Sequence, residues 1–344
     1  MRTAIVLGVN FVLGAAALVW VLWRFGGPAL DLLAHGPHPA LLIAFAGAFG
    51  LSLVTLAYRW QVLLAGIGLR PGLARLAAYR AAGQSLSAII PSAKLGGEPL
   101  RVWLLAREHA SGGSAIASVA IDRTLEIGSG APFTFLFAAL LLQLGHPALR
   151  GAFVSVTIGA LALAFGIAIT MRRLRRGEGL ITAVARATGL DRLRFVRGQM
   201  DVVAAAEGDA ARLIAQRGRL ARAFAAGVAA NLLVLVEYHL LLAAFGLPAG
   251  SLAVVAAVFA TGAAHSLPIP AAVGALEGAQ MWLFGILGYP AEVGLAVGLA
   301  VRLRELVWVL PGLLYLTGRA VARWRHAGTA SGRRAWIAAA KKPG

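Results

Sequence analysis

The chain has no cysteine among its 344 residues, and only 13% of them are charged. Without cysteine it can form neither a disulfide nor a thiolate metal site, and a cysteine nucleophile or thiol redox centre is excluded as well. The shortage of charge is equally informative, because soluble domains carry about 25% charged residues. With 59% hydrophobic residues and a mean hydropathy of +0.79, the composition is that of a membrane protein.

Acidic residues are the scarcer charged class, with 14 Asp and Glu against 32 Lys and Arg, and the net charge is +18. In a soluble protein this excess would suggest a nucleic-acid partner. Here most basic residues stand between apolar segments, where they set orientation, so no nucleic acid is expected. The sequence also has no HExxH, P-loop or GxSxG pattern. We therefore expect no enzyme activity, no catalytic residue, no metal site and no cofactor.

Long apolar segments predict an all-α protein that crosses the membrane several times. A helical span needs roughly 20 apolar residues. Six segments meet this requirement, at about 3–23, 40–57, 115–144, 151–171, 221–245 and 294–316. The first ends without a small-residue cleavage pattern and is interpreted as a span. We expect one integral membrane domain over residues 1–344.

Two further apolar regions, 76–103 and 252–287, are interrupted near their middles by proline and glycine, at 91–98 and 268–274. Proline cannot donate a backbone hydrogen bond and disfavours a helical residue before it, whereas glycine permits a tight turn. The interruptions predict two re-entrant helical hairpins, which turn inside the membrane.

Basic loop residues predict the orientation, because short loops rich in Lys and Arg face the cytoplasm. One side is assigned Arg59, Arg70, Arg75, Arg80, Arg101, Arg107, the arginines at 172–176 and the basic tail at about 319–344. The opposite loops hold only Arg24 and Arg150. We expect a multi-pass protein of the inner cell membrane with both termini in the cytoplasm. The linker at about 172–221 is expected to lie as a basic amphipathic segment on the cytoplasmic surface.

The main signal is an internal repeat with an offset of 179 residues. The coinciding pairs are Pro91 and Pro270, Glu98 and Glu277, Arg123 and Arg302, Glu126 and Glu305, and Pro132 and Pro311. Intramembrane Glu and Arg are rare and costly, so their joint coincidence is informative. Repeat one covers about 40–145 and repeat two about 221–320. Their first spans are expected to run in opposite directions, which gives an inverted-topology repeat of the kind found in secondary transporters.

The repeated charged residues allow two interpretations. Glu98 and Glu277 open the second helix of each hairpin, where a carboxylate caps exposed amides, or they also line a cavity that holds a cation, a proton or a lipid amine. Arg123 and Arg302 stand three residues before Glu126 and Glu305. They form either a structural salt-bridge lattice or forked hydrogen bonds to a lipid phosphate.

The charges expected inside the membrane are four basic, Lys94, Arg123, Arg302 and Arg304, and six acidic, Glu98, Asp122, Glu126, Glu237, Glu277 and Glu305. This mixed set suits a zwitterionic or phosphate-bearing head group, or proton-coupled exchange. His265 precedes the second interruption and could relay protons. Histidine in a bent segment is also often hydrogen-bonded to freed backbone.

The motifs at 90–101, 120–123 and 268–277, followed by Arg302, resemble the transmembrane region of lysylphosphatidylglycerol synthases, a flippase-like family that includes hopanoid-associated members. The resemblance runs from about 41 to 318 and implies translocation of a polar-headed membrane lipid, such as a phospholipid, an aminoacylated lipid or a hopanoid-like lipid. The matching positions are Gly96, Gly97, Glu98, Arg101, Asp122, Arg123, Pro270, Gly274, Glu277 and Arg302. Together with Lys94, Glu126 and Glu305 they form the candidate substrate-binding site.

Only 28 residues follow position 316, so we expect no aminoacyl-transfer domain and no lysyl transfer. The alternatives are a small-solute or ion-coupled secondary transporter that uses the same site, and a non-catalytic membrane subunit of a lipid-modifying system. A second copy of the chain and a separate lipid-synthesising enzyme are compatible partners.

Overall fold

A computed structural model describes residues 2–34, 37–89, 96–108, 110–188, 193, 197–267 and 269–340. Within these ranges the regular elements are helices. They are α1 (Arg2–Ala34), α2 (Pro39–Gly66), α3 (Leu73–Ile89), α4 (Glu98–Glu108), α5 (Gly112–Leu142), α6 (Pro147–Arg175), α7 (Leu180–Ala187), α8 (Met200–Ala215), α9 (Arg217–Ala244), α10 (Ser251–Ser266), α11 (Ala275–Ile286) and α12 (Ala291–Ala340). A short 3-10 turn, Pro270–Ala272, precedes α11.

Four of the described helices, α2, α5, α6 and α9, are long and apolar enough to cross a membrane. The other two predicted spans lie inside α1 and α12, and α12 is less apolar because it contains Arg302, Arg304 and Glu305. The 18-residue apolar stretch of α6 has no buried residue, which suits a helix surrounded by lipid. The predicted all-α, polytopic membrane protein is confirmed.

Both predicted interruptions divide their apolar regions into two helices. The first falls between α3 and α4, where Pro91 and Lys94 lie outside the described residues. The second falls between α10 and α11, where Ala271, Ala272 and Gly274 take φ values of 50°, 49° and 76°. Glycine adopts a positive φ freely, whereas the two alanines are strained there. The chain therefore reverses sharply before α11.

Each pair of helices packs together as a hairpin. In the first, the amide of Gly97 donates to Ser87 Oγ at 2.8 Å, and any side chain at Gly97 would overlap the carbonyl of Gly83. In the second, Gln280 Nε2 donates to Ala257 O at 2.9 Å and to Thr261 Oγ1 at 3.0 Å. The two helices of the first hairpin meet at a contact between glycines, and those of the second meet at the buried side-chain amide of Gln280.

The two repeated segments have the same order of helices. Shifted by 179 residues, the first residues of α2, α3, α4 and α5 fall at 218, 252, 277 and 291, and α9, α10, α11 and α12 begin at 217, 251, 275 and 291. Helix starts thus agree within two residues. Helices α1 and α6–α8 lie outside the two segments.

One end of the bundle gathers the end of α2, the start of α9 and the end of α4. Gln216 Nε2 donates to Gly66 O at 2.8 Å, and Arg319 of α12 donates to Glu108 Oε1 at 2.6 Å. Because only six residues separate the end of α2 from the start of α3, the first hairpin starts and finishes at this end.

The other end gathers the loops that follow α1, α5 and α9. The amide of His38 donates to Ala244 O at 2.8 Å, and the rings of His146 and Trp282 meet edge to face with their centroids 6.2 Å apart. Trp282 lies near the end of α11, so the second hairpin starts and finishes at this end.

The linker between α6 and α9 contains the helices α7 and α8, and α8 packs against the beginning of α5. Ser114 Oγ donates to Asp209 at 2.5 Å, and Gly113 lies so close to Ala205 that a side chain there would crowd it. The expected surface segment is thus partly attached to the bundle.

Candidate functional site

A polar cavity of about 390 Å³ lies between the two repeated segments. Its walls come from α2, α3, α5, α9, α10, α12 and the turn before α11. Its polar lining consists of Arg80, Gln84, Ser87, Glu126, Asn231, Tyr238, Thr261, His265, Arg304 and Glu305. A smaller cavity of about 40 Å³ beside it shares Arg80 and Glu126 and is also lined by Glu98, Arg101 and Arg123.

Asp122 is the centre of the largest ion-pair cluster and is fully buried in α5. Its carboxylate accepts hydrogen bonds from Arg59 Nε at 2.8 Å, Arg80 Nη1 at 2.5 Å and Arg101 Nη2 at 2.7 Å. These arginines come from α2, α3 and α4, so one carboxylate joins four helices. The Arg101 guanidinium also lies 4.2 Å from the centre of the Trp60 ring.

The assignment of Arg59, Arg80 and Arg101 to loop segments is wrong, because all three side chains are at most 9% exposed. Within the described residues the buried or partly buried charged set therefore includes six arginines, Arg59, Arg80, Arg101, Arg123, Arg302 and Arg304, against six carboxylates. The excess of acidic over basic residues expected inside the membrane indicates that further arginines are buried there, since carboxylates in apolar surroundings need partners.

Glu98, Arg123 and Glu126 form a loosely connected cluster, which we call the first triad. Arg123 Nη1 donates to Glu126 Oε1 at 2.5 Å, whereas Arg123 Nε lies 3.7 Å from Glu98 Oε1. Among the described residues, Arg123 Nε and Glu98 Oε2 are buried without a hydrogen-bond partner, as is Arg101 Nε nearby. Two donors and one acceptor thus have no hydrogen-bond partner among the described residues.

Glu277, Arg302 and Glu305 form the second triad, at the positions equivalent to the first. Arg302 Nε donates to Glu277 Oε1 at 2.7 Å and Nη1 donates to Glu305 Oε2 at 2.9 Å, so the same guanidinium nitrogens are used. The guanidinium also donates to the carbonyls of Ala271 and Ala272. All three of its nitrogens are therefore occupied.

Glu277 also caps α11, because the amide of Gly274 donates to Glu277 Oε2 at 3.0 Å. Its side chain is 1% exposed and does not line the large cavity. In this structure Glu277 thus acts as a helix cap. Glu98 also lies in the first turn of its helix, α4, but it lines the small cavity.

A third cluster joins α12 to α9 and α2. Glu237 is fully buried and accepts from Arg304 Nη2 at 2.6 Å, Ser52 Oγ at 2.5 Å and Trp308 Nε1 at 3.2 Å. The sequence indicated Glu237 and Arg304 as intramembrane charges, but Ser52 and Trp308 have no distinctive pattern.

The structure brings most predicted site residues to the two triads. Arg101 and Asp122 lie beside the first, and Pro270 and Gly274 lie in the turn beside the second. Gly96 and Gly97 form the turn before α4. Lys94 lies outside the described residues.

Comparison with known proteins identifies a matching family and one similar protein. Residues 5–312 match the family model of the lysylphosphatidylglycerol synthase TM region. The chain is also similar to a UPF0104 membrane protein of Methanothermobacter thermautotrophicus, with 30% identity over 136 residues. That match covers 39% of this chain and 38% of the archaeal protein, so it spans well under half the length of either.

Proposed function

We propose that this protein, which belongs to the lysylphosphatidylglycerol synthase transmembrane-region family, moves a polar-headed lipid across the cell membrane without changing it chemically. The observation that carries the proposal is the charged cavity of about 390 Å³ between the two repeated segments. Charged groups inside a membrane protein are costly and are retained mainly at pathways for polar substrates.

The depth of the triads supports a site near the middle of the bilayer. Arg123 stands eleven residues after the start of α5, and Arg302 stands eleven residues after the start of α12. At 1.5 Å per residue this is about 16 Å, half of a hydrocarbon core of about 30 Å. A head group at this depth has completed half of its passage.

The two hairpins support alternating access as the mechanism. The first begins and ends at the end of the bundle that holds Gly66 and Gln216, and the second at the end that holds His38 and Ala244. We interpret them as re-entrant hairpins of an inverted-topology repeat whose broken ends meet at the cavity. Transporters built in this way rock one repeat against the other around a central site.

The first triad is the better head-group site of the two. Its unpartnered Arg101 Nε and Arg123 Nε can donate to a lipid phosphate, and Glu98 Oε2 can accept from a hydroxyl or an amine. Arg302, by contrast, is fully engaged with protein oxygens. The predicted phosphate contacts are therefore assigned to Arg123, with Arg101 taking the place of Arg302.

Reconstitution tests this function. The purified protein is placed in vesicles that contain phosphatidylglycerol or phosphatidylethanolamine with a fluorophore on the head group, and dithionite reduces the outer-leaflet label. We expect the protected inner-leaflet fraction to shrink faster than in protein-free vesicles. Unchanged transbilayer movement across a broad panel of labelled lipids would contradict the proposal.

A further inference from the structure

His265 lies at the end of α10 and makes two contacts through its ring. Nδ1 lies 2.9 Å from the backbone oxygen of Thr261, and Nε2 lies 2.8 Å from Glu305 Oε1. The side chains of His265 and Glu305 are 15% and 25% exposed, and both line the large cavity. Water in the cavity can therefore reach the pair.

The two contacts together determine how many protons His265 and Glu305 carry. A backbone carbonyl oxygen only accepts hydrogen bonds, so Nδ1 must be the donor to Thr261. A hydrogen bond of 2.8 Å from Nε2 to Glu305 then requires one more proton, on the imidazole or on the carboxyl group. Without this proton, two lone pairs would face each other and the contact would separate.

The surroundings allow that proton to leave. Arg302 donates to the other oxygen of Glu305, so a charged Glu305 keeps a partner when His265 becomes neutral. The other charged or titratable groups that face this region are Arg304, Tyr238, Glu277, Glu126 and Arg80. They come from α12, α9, α11, α5 and α3, and their charges balance, since Arg80 and Arg304 stand against Glu126 and Glu277.

The pair has no counterpart in the first repeated segment. The position equivalent to His265 is Leu86, and Glu126 is held by Arg59, Arg80 and Arg123 instead. His265 also stands directly before the sharp turn that joins α10 to α11. A change in its contact with α12 therefore acts on the second hairpin.

We propose that His265 and Glu305 form a proton-binding site, and that the bound proton is the coupling ion for movement through the cavity. A proton from water adds to the pair and changes its charge from −1 to 0, which joins the end of α10 to α12. Its release to water leaves the Glu305 carboxylate paired with Arg302 and frees the end of α10. Proton binding depends on the contact alone, and coupling rests on the proposed function.

Hydrogen exchange of the purified protein in lipid nanodiscs tests the site without any transported lipid. Amide protection of segment 262–274 is measured between pH 6 and pH 8 and corrected for intrinsic exchange. A single linked proton changes an equilibrium by up to about tenfold per pH unit. We expect protection of this segment to fall as the pH rises, approaching that slope.

Three variants distinguish an effect of the bound proton from a general change in the fold. His265→Gln and Glu305→Gln can keep an amide hydrogen bond at this contact, so both should make protection independent of pH. His239→Gln is the matched control, because His239 Nδ1 also contacts a backbone oxygen, that of Ala249 at 2.9 Å, but its side chain is exposed outside the cavity. An equal pH dependence in His265→Gln and the wild type would overturn the site.

Transport in the labelled vesicles tests coupling. With an imposed pH gradient, the wild type and His239→Gln should move the labelled phosphatidylglycerol at a rate set by the gradient, and His265→Gln should lose this dependence. A gradient-independent wild-type rate would overturn coupling. If no labelled lipid moves although protection still depends on pH, the proposed function and coupling fail together, and the proton site stands.

Discussion

Glu98 and Glu277 are equivalent in sequence but differ in their contacts. Glu277 accepts hydrogen bonds from Arg302 and from the amide of Gly274, whereas Glu98 has an unpartnered oxygen and a distant arginine. The same substitution should therefore have different consequences at the two positions, one on transport and the other on stability.

Glu98→Gln should reduce lipid movement at least tenfold while the protein stays folded, because it removes a charge from the cavity without breaking a close ion pair. Glu277→Gln should lower the free energy of unfolding by about 3 kcal/mol, since removing one partner of a buried pair costs about 3–5 kcal/mol. Vesicle transport and thermal unfolding in detergent measure the two effects. Equal loss of folded protein in both variants would contradict the difference.

Asp122 should be the most sensitive carboxylate for stability. Asp122→Asn would leave Arg59, Arg80 and Arg101 around a neutral amide in a fully buried position, so we expect little folded protein. Asp201→Asn is the control, because Asp201 is exposed in the first turn of α8. Monodisperse yield in detergent compares them, and a wild-type yield of Asp122→Asn would show that the cluster is dispensable for folding.

At the level of helices, α3 and α12 approach closely enough to require a glycine. A side chain at Gly312 would overlap the carbonyl of Ala81 and the hydroxyl of Ser85, and Ser85 Oγ lies 2.6 Å from Val309 O. Small residues allow helix backbones to approach in membranes, where packing and interhelical hydrogen bonds drive association. This contact holds the first hairpin against the second repeated segment.

Gly312→Ala should therefore destabilise the protein, by about 1–3 kcal/mol for an overpacked contact. Gly318→Ala, on the same helix, meets nothing within 4 Å and should be neutral. Thermal unfolding of both variants in the same detergent measures the difference. Identical midpoints would mean that α12 shifts away from α3 at no cost.

The positions of the helices were easier to predict from the sequence than the partners of the charged side chains. Apolar length located the spans, proline and glycine located both interruptions, and the offset of 179 residues paired the triads. The burial of Arg59 and Arg80 was missed because an arginine near the end of an apolar segment resembles a loop charge until its carboxylate is placed in space. The distance from the arginine Nε to the hairpin glutamate is 3.7 Å in the first triad and 2.7 Å in the second. Both triads have the same residue types, so this difference depends on packing.

For the whole molecule, the absence of cysteine makes the natural sequence a ready background for testing orientation. Arg176 and Ser251 are exposed, and they lie in the α6–α7 connection and at the start of α10. With both termini in the cytoplasm, a membrane-impermeant maleimide should label Ser251→Cys in spheroplasts and Arg176→Cys only after permeabilisation. The reverse pattern would invert the assigned topology.

Under the proposed transport function, the unequal triads predict the arrangement in the opposite half of the cycle. Two equivalent segments that exchange conformations would exchange these distances, so the 3.7 Å separation at Arg123 and the 2.7 Å contact at Arg302 would change places. Arg302 would then present its donors to the head group, and Arg123 would hold Glu98. The lipid head group would pass from one arginine to the other. Whichever arginine does not hold the head group would hold its own glutamate.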